Sequence, residues 1–68
     1  MNTIEDTLNQ SISARIRIER ESRGWSLNDL AERAGASRAM IHKIERGESS
    51  PTASMLGRLS GAFGISMS

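Results

Sequence analysis

The 68-residue chain contains no cysteine, no tyrosine, one proline, one histidine, one tryptophan and one phenylalanine. Without cysteine there is neither a disulfide framework nor a cysteine-bound metal. A single histidine cannot build a zinc site, so no metal and no cofactor is expected. No run of about 18 apolar residues exists, so no membrane-spanning helix is predicted. The start, MNTIEDTLNQ, has neither a basic opening nor an apolar core, unlike a secretory signal. The expectation is a cytoplasmic protein with no membrane partner. One domain is all this length allows, with a net stability of roughly 3–5 kcal/mol unless something staples it. Strand patterns and internal repeats are missing too. Small unstapled folds rely on packed helices, which predicts an all-α protein.

Charge is present in near balance, nine Lys or Arg against eight Asp or Glu. Its distribution says more than its sum. Residues 1–10 carry Glu5 and Asp6 and no base, and they read as a flexible arm without sustained period. Residues 33–46 carry Arg33, Arg38, Lys43 and Arg46 against Glu45 alone. A cluster of this kind is either a solvated helix face or the footprint of a nucleic-acid site.

Four helices are legible. The first starts near Ser11, with Ser11 or Ser13 as cap; Ile12, Ile16 and Arg20 share one stripe and Gly24 ends it. The second follows Trp25 at about residues 27–34. Ser26 and Asp29 form an S-x-x-D capping box, Leu27, Leu30, Ala31 and Ala34 give the apolar face, and Gly35 is the stop. The third, about residues 38–46, is capped by Ser37 and turns Ile41 and Ile44 inward; Gly47 ends it. A short glycine turn between two short helices is the spacing of a helix-turn-helix. Thr52 caps a fourth helix with Leu56, Leu59 and Phe63 on one face and with Gly57 and Gly61 as weak helix formers. These two glycines either permit close packing or simply weaken the helix. Ile65, Ser66 and Met67 look like the start of a fifth helix.

Residues 11–67, and above all WSLNDLAERAGAS and IHKIERGESSPT, resemble the DNA-binding domain of the lambda repressor and Cro class, the Xre family. Capping, spacing and apolar positions agree over four helices. The resemblance implies a compact bundle of four to five helices. It also implies sequence-specific binding of double-stranded DNA, with the third helix in the major groove and the second crossing the backbone. Many regulators worded like this continue into a second domain, often a cupin-type sensor. The family habit is a homodimer on a palindromic operator, with half-sites about 34–36 Å apart; the fragment by itself is expected to be a monomer.

Carried onto this chain, the base-reading candidates are Arg38 and Lys43, which suit guanine O6 and N7. Ala39 follows, placed to meet a thymine methyl or to permit close approach, with Met40 and His42 as lesser contacts. Phosphate candidates are the caps Ser26 and Ser37, then Arg46, Ser49 and Ser50. Arg38 has the alternative of a phosphate contact, and both caps have the alternative of a purely structural role. The resemblance further implies a largely buried ion pair between Arg20 and Glu45. His42 lacks a nucleophile partner, so no enzyme is expected and no catalytic residue is named. Trp25 is read as a hydrophobic contact under the turn between the first two helices. The rival functions are the antitoxin of a toxin–antitoxin pair, and a protein-interaction module that has kept the fold but lost DNA.

Overall fold

In the computed structural model the backbone is described for residues 3–65 and the side chains for residues 11–65. Helix α1 spans Thr3–Ser22, α2 Leu27–Ala34, α3 Arg38–Glu45 and α4 Ala53–Phe63. The described residues contain no strand.

The first helix departs from the sequence expectation. Residues 3–10 are helical, in the stretch read as an arm, so Ser11 and Ser13 sit inside α1 and cap nothing. The physical reason is local. No glycine or proline interrupts the chain from Met1 to Arg23. Ser66 and Met67, where the sequence announces a further helix, lie outside the described residues.

The other three helices begin on the expected hydroxyls. Ser26 Oγ accepts from Asp29 N at 3.0 Å while the Asp29 carboxylate accepts from Ser26 N at 2.8 Å, a complete capping box. Ser37 Oγ accepts from Met40 N, and Thr52 Oγ1 from Met55 N, each at 3.1 Å. Gly35 closes α2 at φ 66°, a conformation other residues adopt only under strain, and Ala36 N then donates back to Ala31 O at 2.9 Å. This tight reversal places α3 directly after α2, forming the helix-turn-helix.

Each helix contributes to one core. Ile16 from α1, Leu30, Ala31 and Ala34 from α2, Ile41 and Ile44 from α3, and Leu59 and Phe63 from α4 are buried. Ile12, Trp25, Leu27, Ala36, Met55, Ala62 and Ile65 pack around them. The stripe of α4 is rotated from the expected one. Met55, Leu59, Ala62 and Phe63 face inward at helical spacing, whereas Leu56 is half-buried and outside this cluster. A Cβ added at Gly57 or Gly61 would meet no atom within 4 Å. Neither glycine therefore serves a close packing contact.

Candidate nucleic-acid interface

The outward side of α3 is built by exclusion. Ile41 and Ile44 take the core, and Glu45 turns sideways into α1. What remains exposed is Arg38, Ala39, Met40, His42 and Lys43, continued by Arg46 at the C-cap. At 40% exposure Met40 is one of two large apolar side chains open to solvent among the described residues, the other being Ile18. No acidic residue lies in the first turn of α3. The helix presents base and small apolar groups outward, with no exposed carboxylate of its own.

That sign depends on where Glu45 goes. Arg20 Nε donates to Glu45 Oε2 at 2.7 Å and Nη2 to Oε1 at 2.9 Å, a bidentate pair. Arg20 Nη1 donates to Trp25 O at 2.9 Å, so the same guanidinium also fixes the turn into α2. The Glu45 side chain is 4% exposed and that of Arg20 13%. Hydrogen bonding to Glu45 raises the Arg20 pKa above its ordinary value. The pair thus cancels the one negative charge of α3 and locks α1 to its C-terminal end.

The phosphate candidates sit at helix starts and in the loop after α3. Ser26 and Ser37 are exposed at the starts of α2 and α3, Ser50 is exposed in the loop after α3, and Ser49 is half-buried. The two caps differ electrostatically. At α2 the Asp29 carboxylate already occupies Ser26 N–H, and these hydrogen bonds hold its pKa below the ordinary aspartate value. At α3 no such anion is present. Arg46 Nε lies 2.7 Å from Glu48 Oε2, with both side chains about half exposed or more.

Trp25 does more than fill space under a turn. It stacks on Phe63 with ring centroids 5.8 Å apart and planes 12° apart. Arg33 covers the Trp25 ring at 4.2 Å, and Arg23 lies 4.9 Å from the Phe63 ring. Arg23 Nη2 also donates to Phe63 O at 2.8 Å, tying the end of α4 to the end of α1. Arg58 Nη1 donates to Gly35 O at 3.1 Å and so braces the turn of the motif from α4. Neither arginine stands out in the sequence, because each acts on a backbone carbonyl far along the chain. No group of acidic or histidine side chains able to hold a metal occurs among the described residues.

Two short helices joined by a glycine turn, the second carrying an outward basic face, define a helix-turn-helix domain of the lambda repressor-like class. The family model for HTH_3 helix-turn-helix domains matches residues 16–68. The chain belongs to this family, a family of DNA-binding domains and not of enzymes. It is 40% identical over 63 residues to the HTH-type transcriptional regulator SutR of Escherichia coli, covering 93% of this chain and 35% of that protein. An HTH-type transcriptional regulator of Mycobacterium tuberculosis is 39% identical over 56 residues, covering 82% of this chain and 22% of the relative. The crystal structure of an HTH_3 family transcriptional regulator from Vibrio cholerae superposes with a TM-score of 0.85 at 38% identity, over 90% of this chain and 34% of that one. The chain therefore spans about a third or less of the length of these relatives.

Proposed function

We propose that the chain is the sequence-specific, double-stranded DNA-binding domain of a bacterial transcriptional regulator, with α3 lying in the major groove. The observation that carries this reading is the outward face of α3, which exposes Arg38, Ala39, Met40, His42 and Lys43 while its only carboxylate is buried against Arg20. Arg38 and Lys43 read guanines, Ala39 meets a thymine methyl or permits close approach, and Met40 and His42 add lesser contacts. Ser37, Arg46, Ser49 and Ser50 meet phosphates. Ser26 is the weaker phosphate candidate, because Asp29 holds its N–H and repels an anion.

Repression is the mode we favour, since occluding a promoter requires only binding. The full-length protein acts in the cytoplasm as a homodimer on a two-fold symmetric operator, while this segment alone is a monomer. A relative built on the same helix-turn-helix domain in a transcriptional regulator supports the first part of this reading.

The test is selection from random duplexes, with two copies of the chain joined by a fused zipper. The wild type is expected to enrich a two-fold motif. Arg38→Ala should relax one position in each half-site, at a cost of about 1–3 kcal/mol in discrimination. Absence of any duplex binding even at low salt would sink the reading and point to a protein partner instead.

A further inference from the structure

The basic face of α3 does not end at Arg46. A shallow groove carries it sideways onto α1. Ser13, Ala14 and Arg17 of α1 form one wall, and Glu45, Arg46 and Gly47 form the other. Its volume is about 160 Å³, many times the ~10–15 Å³ that holds one water on the same measure. Two local features keep it open. The Arg20–Glu45 pair holds the two helices in register at this level. Gly47 adds no side chain to its wall, where a Cβ would come into ordinary contact, 3.9 Å, with Ser13 Oγ.

The charges around it are unequal. Glu45 is neutralised by its two bonds to Arg20. Glu48 engages Arg46, yet both side chains are largely exposed, at 48% and 61%, and an exposed pair of this kind is readily displaced. Arg17 is exposed and makes no ion pair or hydrogen bond among the described residues. It sits one turn before Arg20, and with Arg46 it lines one concave site from the opposite helix.

We infer that this groove seats a backbone phosphate of duplex DNA, clamped between Arg17 and Arg46, beside the bases read by α3. The inference rests on the DNA-binding reading above and extends it from α3 to α1. Planar guanidinium groups match the oxygens of a phosphate in bidentate fashion. Contact here is to the backbone only, so Arg17 adds affinity and register without adding sequence preference.

The test is equilibrium binding of the 68-residue chain to two duplexes of equal length, one carrying the selected motif and one scrambled, across a series of salt concentrations. Each lost phosphate contact lowers the slope of log affinity against log salt by about 0.9. Arg17→Ala is expected to bind both duplexes roughly three- to tenfold more weakly, with the slope reduced by about 1 and the preference for the motif unchanged. Arg17→Lys should restore most of the slope. The residue is exposed, so a thermal melt of Arg17→Ala should match the wild type. An unchanged slope in Arg17→Ala, alongside lost preference in Arg38→Ala, overturns the clamp and leaves the proposed function standing. No binding of the wild type to either duplex removes both.

Discussion

Arg20 carries three hydrogen bonds at once, two to Glu45 and one to Trp25 O, and so joins α1, the turn before α2 and the end of α3. Removing one partner of such a pair strands the other charge with little water around it. Breaking a buried pair in this way costs about 3–5 kcal/mol. The lower end applies here, because Arg20 keeps some exposure. That is close to the whole stability expected of a domain this size. Arg20→Ala and Glu45→Ala are therefore expected to be largely unfolded at 25 °C by circular dichroism. The double replacement Arg20→Met with Glu45→Leu should regain much of the loss, since it leaves no buried charge; a double variant no better than the singles refutes this account. Acid sensitivity is a second matter for single residues. Asp29 is held below its ordinary pKa of 3.8 by Ser26, and Glu19 below its ordinary 4.5 by Arg23 and Arg15. A depressed pKa in the folded state means stability that is present above the ordinary value and lost as pH falls through the folded one. The melting temperature should decline below about pH 4.5, and less steeply in the double variant Glu19→Gln with Asp29→Asn. Parallel curves for the two proteins would show that other groups govern the decline.

Among the elements, α4 is the one most open to improvement. Gly57 and Gly61 are exposed, stand in regular helix and have empty space where a Cβ would point. Alanine at either site should stabilise the helix by up to about 1 kcal/mol. In a domain of this length that is a rise in Tm of roughly 4–8 °C for each, read by a thermal melt, with DNA affinity unchanged. A fall in Tm would refute the open space assigned to both positions. Helices α2 and α3 were the most legible parts of the chain. Leu27–Ala34 has the extent that the capping box and glycine stop imply, and α3 starts where Ser37 places it. The start of α1 was not legible, because a serine inside a helix looks the same in sequence as a serine at its cap. The inward stripe of α4 was misread by one position for a similar reason. Leu56 and Met55 are adjacent and both apolar, and only the neighbouring helices select between them.

At the level of the whole molecule, eight buried apolar residues from four helices make up the core among the described residues. Leu30 and Ile41 are fully buried in it, and truncating either to alanine costs about 2–5 kcal/mol. A core this small has little in reserve, so each variant is expected to lose helix and DNA binding together. Retention of the wild-type melt by Leu30→Ala would mean that the four helices do not share one cooperative core. The candidate interface belongs to this scale too. Arg38, His42 and Lys43 share a face because α3 is a helix, and the sequence alone implies that much. The starts of α2, α3 and α4 and the turn at Gly35 were likewise determined by the sequence itself, because caps and glycine conformation act within a turn or two of the chain. Only the tertiary structure decided that Arg23 and Arg58 reach the carbonyls of Phe63 and Gly35, and that Arg17 lines one groove with Arg46. Those contacts join residues distant in the chain, and no local rule of spacing or propensity can specify them; they exist because α2, α3 and α4, each too short to be stable alone, must share one core with α1 to fold.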